Sequence, residues 1–171
     1  MLDRSPVRRD GGAARALRDT VVFAGDVERL GYHRFWVSEH HSVPGVAGSA
    51  PTVLAAAVAA ATSRIRVGTG GVMLPNHRPL VVAEQFGVLE ALYPGRIDMG
   101  LGRSVGFTAG VRDALGHGKE AADDFGAQVR ELLGFFTGEH TDPGVHAYPA
   151  EGQRVAPFLL ATGSGADLAA E

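Results

Sequence analysis

Cysteine is absent from this chain of 171 residues, which excludes a disulfide framework, a thiolate metal site and thiol catalysis. Excess positive charge is missing too. Sixteen Lys and Arg stand against 19 Asp and Glu, a net charge of −3, and the arginines at positions 4, 8 and 9 form only a small local cluster. A basic stripe able to track a phosphate backbone is therefore not there, and nucleic acid is not an expected partner. Long apolar runs are lacking as well. Val53–Ala61 is too short to cross a bilayer and Ser63-Arg64 closes it. Asp3 and Arg4 interrupt any hydrophobic region of a leader peptide, so the cytoplasm is the expected compartment. Low-complexity segments are also missing.

What is present is a repeat. Arg34-Phe35-Trp36-Val37-Ser38-Glu39-His40-His41, Arg64-Ile65-Arg66-Val67-Gly68-Thr69-Gly70-Gly71 and Arg96-Ile97-Asp98-Met99-Gly100-Leu101-Gly102-Arg103 each open on arginine, continue through a short apolar run and end polar or glycine-rich. Alanine-, leucine- and valine-rich stretches separate them. Strand–helix units in series write a parallel sheet or a (β/α)8 barrel, in which chemistry sits at the carboxyl ends of the strands. Those ends carry Glu39-His40-His41, Gly70-Gly71 and Gly102-Arg103.

Strands are expected at Leu2–Val7, Tyr32–Ser38, Ile65–Leu74, Ile97–Leu101 and Pro157–Ala161, with Trp36, Val67, Met99 and Phe158 or Leu159 facing inward. A first helix is expected over Ala13–Leu30, ended by Gly31. A second starts at Ser49-Ala50-Pro51, with Ser49 as cap and proline in the first turn. Its body, apolar all round, should be buried. A third runs from Leu80 to Leu92, stopped by Pro94-Gly95. Ser104–Gly118 reads as a long loop. Lys119–Gly138 contains a helix with Phe125, Val129, Leu132, Leu133 and Phe136 on one face. Thr137–Arg154 is a second loop.

Five strands in a chain of this length fall short of the ~250 residues of a typical eight-stranded barrel. The expected fold class is therefore α/β, a partial (β/α)8 barrel of about five parallel strands, residues 1–171 forming a single domain incomplete at its C-terminus. Ala166–Ala170 lead to Glu171 without a glycine stop.

The ordered set Ser38–His41 (SEHH), Gly68–Pro79 (GTGGVMLPNHRP) and Ala83–Arg103 (AEQFGVLEALYPGRIDMGLGR) resembles the bacterial luciferase-like, flavin-dependent monooxygenases. The likeness runs from about Leu2 to Arg103 and returns near Pro157–Ala170. It implies reduced FMN, supplied by a separate flavin reductase, acting with oxygen on a small organic substrate. It also implies a homo-oligomer built on the second and third helices. Two alternatives stay open: a deazaflavin-dependent oxidoreductase of the same fold, and a non-catalytic remnant or assembly partner.

Adjacent histidines at the end of a strand point to opposite sides, so one faces the barrel mouth while the other packs or faces the loops. The resemblance makes His40 the catalytic histidine, with Glu39 or His41 orienting it; imidazole suits proton transfer near neutral pH. A lone Glu-His-His would ordinarily be read as core histidine. Glu39, His40, His41 and His77 could be imagined as metal ligands, but adjacent histidines rarely share an ion and no HExxH spacing exists, so no metal is expected. Glycine at a strand's end marks a bulge or a close approach. By resemblance, Gly70-Gly71 form a non-prolyl cis peptide backing the flavin ring. Gly102 stands where the family's luciferases carry cysteine, and Arg103 is assigned to the flavin phosphate or ring edge. Thr162, Gly163 and Ser164, at a strand-to-helix junction, form the other half of the phosphate site.

Overall fold

A computed structural model describes residues 1–139, 144–160 and 165–170. Its elements alternate along the chain: β1 (Leu2–Asp3), α1 (Ala13–Arg29), β2 (Arg34–Val37), α2 (Pro51–Ala60), β3 (Arg66–Thr69), β4 (Val72–Met73), α3 (Pro79–Leu92), β5 (Ile97–Gly102), α4 (Ala109–Leu115), α5 (Phe125–Thr137), β6 (Ala156–Leu160) and α6 (Gly165–Ala170). All strand pairs are parallel, and β1, β2, β3 and β5 lie side by side in chain order, with β4 and β6 also on β5. This is the sequential order of a (β/α) barrel wall.

The third expected strand is broken in two. Gly68 pairs with Asp98 and Val72 with Leu101. Four steps along β3–β4 thus match three along β5, so one extra residue bulges out at Gly70–Gly71. β3 and β4 together occupy one barrel position, which leaves five positions along the wall.

Register decides which side chains share a face. Arg34 lies beside Arg66, and Trp36 beside Gly68, which lies beside Asp98. These residues line the concave side. Arg34 Nε and Trp36 Nε1 each donate to Asp98 Oδ2 at 2.9 Å, and Arg66 Nε donates to Asp98 Oδ1 at 2.8 Å. Asp98 is fully buried, and a buried carboxylate persists only when charged partners and hydrogen bonds satisfy it. Phe158 closes the group, its ring 5.0 Å from Trp36 and 5.4 Å from the Arg34 guanidinium.

Phe35, Val37, Val67, Met99 and Leu101 occupy the convex face and pack with Ala55, Val58, Phe86 and Leu89 of α2 and α3. The inward placement of Val67 and Met99 is therefore corrected. Alternation along each strand puts the apolar set under the helices, and the concave side takes the glycines and the ion cluster. Trp36 and Phe158 face inward as expected.

The arginines of the repeat divide their work. Arg34 serves Asp98, a task shared in the second unit by Arg66 rather than Arg64. Arg96 donates to Ala59 O, Thr62 O, Thr62 Oγ1 and Ile65 O, holding the end of α2. Glu28 of α1 accepts from the N–H groups of Ser63, Arg64 and Ile65.

Several boundaries differ from the sequence reading. β1 stops at Asp3, because Ser5 adopts a positive φ of 53° and Pro6 forms an antiparallel bridge with Val46. The cap of α2 is Ala50 rather than Ser49, with no side-chain hydrogen bond and Pro51 opening the helix. α2 is not buried all round: Leu54, Ala55, Val58 and Ala59 are covered, while Val53 is 70% exposed. The stretch 104–118 is not all loop. It holds α4, started by Thr108 Oγ1 accepting from Val111 N–H and closed by Gly116 at φ 83°.

Candidate active site

The carboxyl ends of β2, β4 and β5 open into a pocket of about 410 Å³, whose lining includes Glu39, His40, Gly70, Gly71, Gly102 and Arg103. Most of the residues that the sequence singled out are thus brought together. Met73, Ser104, Phe107, Phe125 and Leu160 complete the walls. Thr162, Gly163 and Ser164 lie outside the described residues.

His40 and His41 diverge, as two successive residues at a strand end must. His40 lines the pocket. Its backbone N–H donates to Gly48 O at 2.8 Å, and its ring Nδ1 lies 3.0 Å from Ser38 Oγ. The ring also stacks on Phe107, centroids 6.2 Å apart at an interplanar angle of 14°. Burial pushes the His40 imidazole below its ordinary value, and the charge of Arg4 adds to the effect. Neutral imidazole is therefore the dominant form near pH 7.

Neither Glu39 nor His41 orients His40. The neighbour that does is Ser38, missed by the motif reading although it precedes His40 by two residues, the spacing that places side chains on one side of an extended chain. Glu39 has a different task. Its Oε1 receives His41 Nε2 at 2.6 Å and His77 Nε2 at 2.9 Å, and its Oε2 accepts from Met73 N–H at 2.8 Å. Burial raises this carboxyl's pKa. The hydrogen bonds from His77, His41 and Met73 N–H, together with the charge of His77, outweigh that and hold it below the ordinary carboxylate range. Glu39 is thus an anionic staple between β2 and the chain that follows the bulge. His77 stands 38 residues away, and no local signal links the two.

Gly70 and Gly71 are joined by a cis peptide, in keeping with the resemblance. Their lack of side chains follows from close packing. A Cβ on Gly70 would stand 2.6 Å from Leu2 Cδ1, and one on Gly71 would stand 2.9 Å from Gly100 O. Gly102 differs: its Cβ would meet only Val72 O, at 3.7 Å. Backbone of β5 dictates glycine at position 71, the Leu2 side chain crowds position 70, and Gly102 leaves open space in front.

Arg103 sits at the rim with its side chain about half exposed. Its Nε donates to Ala122 O at 2.9 Å and its Nη2 lies 3.3 Å from Asp123 Oδ1. Among the described residues, no group of three His, Cys, Asp or Glu is placed to hold a metal ion, and no helix is long and apolar enough to cross a membrane.

Comparison with known proteins agrees with this architecture. The family model for luciferase-like monooxygenases matches residues 1–171. The YvbT protein of Bacillus subtilis (strain 168) is 46% identical over 173 residues, covering 100% of this chain and 52% of its own length. A luciferase-like monooxygenase of Escherichia coli (strain K12) is 42% identical over 161 residues, covering 94% of this chain and 48% of its own. The crystal structure of apo-MsnO8 superposes with a TM-score of 0.87 at 39% identity, covering 99% of this chain and 50% of that one. The chain spans about half the length of the curated relatives it matches. With the strand order, the bulge and the pocket in place, this chain belongs to the luciferase-like monooxygenase family.

Proposed function

We propose that this chain supplies the flavin-facing wall of a monooxygenase that uses reduced FMN and oxygen on a small organic substrate. The observation that carries the reading is the pocket itself, in which His40, the Gly70–Gly71 bulge, Gly102 and Arg103 meet at the strand ends. The pocket suits a flat ring. Its rear wall is backbone, and the Cβ position of Gly102 has no neighbour closer than 3.7 Å.

Bound FMN would supply the electrons and the site of oxygen activation, as cofactors do. The protein's share is positioning and proton handling. His40 is the base: with Nδ1 donating to Ser38 Oγ, its Nε2 keeps the lone pair that takes a proton. Glu39 holds the mouth in shape from behind through His41, His77 and Met73 N–H, a positioning role. Buried Phe125 gives the pocket an apolar wall, and Phe107 stacks on the His40 ring. Arg103 would exchange its weak contact with Asp123 for a phosphate, a better-matched partner for a guanidinium. By resemblance, the other half of that grip falls to Thr162, Gly163 and Ser164.

Two distant neighbours bear on cofactor choice. The oxygenating constituent of 3,6-diketocamphane monooxygenase of Pseudomonas putida, 23% identical with a TM-score of 0.65, is in complex with FMN. An F420-dependent secondary alcohol dehydrogenase, 18% identical with a TM-score of 0.69, carries an F420–acetone adduct. The first accords with our reading, and the second supports a deazaflavin-dependent alternative on the same fold. In the monooxygenase reading a separate reductase delivers the reduced flavin.

Anaerobic titration with reduced FMN and, in parallel, reduced F420, each followed by oxygen, separates the two. Saturable FMN binding with oxygen-dependent spectral change supports the monooxygenase. F420 binding without response to oxygen supports the alternative. Arg103→Ala should weaken FMN roughly tenfold to a hundredfold, the equivalent of ~1.5–3 kcal/mol for a charge-assisted bond, and leave riboflavin, which lacks the phosphate, almost unchanged. Equal losses for both would make Arg103 structural.

A further inference from the structure

Arg4 stands one residue beyond β1, at the carboxyl end of that strand and beside the end of β2 that leads to His40. The register of the two strands pairs Leu2 with Trp36 and Asp3 with Val37, so the next step sets Arg4 beside Ser38. Ser38 N–H donates to Asp3 O at 3.2 Å, which carries the pairing that far. Gly48 then ties the two ends together. Its N–H donates to Arg4 O at 3.3 Å, and its O accepts from His40 N–H at 2.8 Å. A Cβ on Gly48 would stand 3.0 Å from Arg4 O and 3.1 Å from Ser38 O, a measure of how closely these segments meet.

Alternation along the strand decides which way Arg4 turns. Asp3 turns toward α1, where its Oδ1 accepts from Thr20 Oγ1 at 2.8 Å. Leu2 turns the other way, onto the concave side, with its Cδ1 2.6 Å from where a Cβ on Gly70 would stand. Arg4 follows Leu2 to that side, the side of Ser38 and His40. The charges agree: burial is the larger cause of the lowered His40 value and Arg4 the next, with His41 adding to it and Glu39 opposing. Arg8, a neighbour in the same sequence cluster, goes instead to a cavity beside α1.

The Arg4 side chain is exposed, and among the described residues its guanidinium has no hydrogen-bond or ion-pair partner. Arg103, also at the mouth, has Ala122 O and Asp123. Against the same His40 ring lies Phe107, stacked on it and 68% exposed. An unmatched cation and an open aromatic face thus adjoin the histidine. Their complement is an organic acid: a carboxylate, which a guanidinium grips with two parallel hydrogen bonds, on an apolar body.

We propose that Arg4 is a substrate-binding residue that selects molecules carrying a carboxylate. The proposal rests on the reading of the His40 pocket as the site of oxygenation, and it names the substrate class that the pocket takes. Arg103 keeps the cofactor phosphate, so the two arginines divide two anions between them.

The test titrates the full 171-residue chain, without flavin, with 3-phenylpropionate and with its neutral counterpart 3-phenylpropionamide. Backbone ¹H–¹⁵N NMR and the His40 ring protons report binding. The acid should saturate at millimolar concentration, shift the N–H signals of His40 and Phe107, and raise the His40 midpoint by offsetting the Arg4 charge. The amide should bind about fivefold more weakly, the upper end for one exposed charge pair. Arg4→Gln should erase that preference, and Arg4→Lys should keep most of it. Both variants retain the backbone bond at Arg4 O, so the fold is kept. Arg103→Ala should leave the acid's midpoint where it is. Reduced FMN, titrated in parallel, separates this proposal from the flavin reading, since Arg4→Gln should bind it as wild type does. An acid that does not saturate, equal binding of acid and amide, or a preference that survives Arg4→Gln or falls in Arg103→Ala would overturn the proposal even where FMN binds. An Arg4-dependent preference in a chain that takes no FMN would leave the carboxylate site standing and remove the flavin reading alone.

Discussion

His77 Nε2 lies 2.9 Å from Glu39 Oε1 and ties the turn after β4 to the end of β2. Glu39 also accepts from His41 and Met73 N–H. One carboxylate thus gathers three donors from segments that the Gly70–Gly71 bulge would otherwise let part.

Glu39→Gln should therefore destabilise the fold. The amide offers one acceptor where the carboxylate offers two, and its NH₂ competes with the three donors. Losing a charge-assisted bond of this kind costs about 2 kcal/mol, or roughly 4–8 °C of melting temperature in a domain of this size. The pH dependence has a definite sign. Glu39 titrates below its ordinary 4.5 in the fold, so its contribution is full above that value and is lost as pH falls through the folded pKa. The gap between wild type and Glu39→Gln should narrow over that acid range. Equal melting temperatures at pH 7 would show the staple to be slack.

Two glycines of β5, two residues apart, should respond oppositely to alanine. A Cβ at Gly100 would stand 1.8 Å from Thr69 O, which backbone cannot yield. Gly100→Ala should thus unfold the chain or leave it insoluble. A Cβ at Gly102 meets only Val72 O, at 3.7 Å. Gly102→Ala should therefore melt within a degree or two of wild type, yet bind reduced FMN more weakly because the methyl enters the pocket. The check is a melting curve beside a flavin titration. Tight flavin binding by Gly102→Ala would move the ring away from that wall.

Much of this arrangement was legible in the sequence. The arginine-led repeat located β2, β3 and β5; the glycine pair marked a bulge or a close approach, and the family resemblance chose the bulge. The Glu-His-His run required only that one histidine face the mouth; the family resemblance chose His40. What stayed hidden depends on contacts distant in sequence. Asp98 finds Arg34 and Arg66 across 64 and 32 residues, and Glu39 finds His77 across 38. Val67 and Met99 were misplaced because an apolar side chain suggests an interior, whereas this sheet's more apolar side is the one beneath its helices. α4 escaped notice because none of its residues is buried, which leaves no periodic stripe to read. Its only marks were Thr108 at one end and Gly116 at the other.

His40 should titrate below the ordinary 6.5, since burial and Arg4 both disfavour its charged form. Following its ring protons by NMR across pH 4–8 gives the midpoint directly, and a value at or above 6.5 would contradict the geometry. Unfolded chain binds the proton more readily, so acidification below the ordinary value also weakens the fold. Under the proposed function, turnover should fall as pH drops through the same midpoint. Replacing His40 by alanine should reduce turnover by roughly 10²–10⁴, with Ser38→Ala giving a smaller loss and shifting the midpoint.

The last expectation concerns self-association. The outer faces of α2 and α3 leave Val53 70%, Val81 44%, Val88 46% and Leu92 63% exposed. Between the helices runs a groove of about 310 Å³, lined by Thr52, Val53, Ala56, Val81, Glu84, Gln85, Val88 and Leu89. Thr52 and Gln85 already satisfy one another at 3.0 Å, which leaves the Glu84 carboxylate as the group that a contact would have to keep hydrated. A second copy presenting the same face would bury these valines in both chains, as a two-fold contact requires. Light scattering after size-exclusion chromatography should show a dimer at micromolar concentration. Val53→Lys removes a buried side chain from each half of such a contact. At ~1.5 kcal/mol apiece, the dissociation constant should rise roughly a hundredfold, with the melting curve of the monomer unchanged. A wild-type chain that stays monomeric, or a variant that dimerises as well as wild type, would rule this face out as the contact.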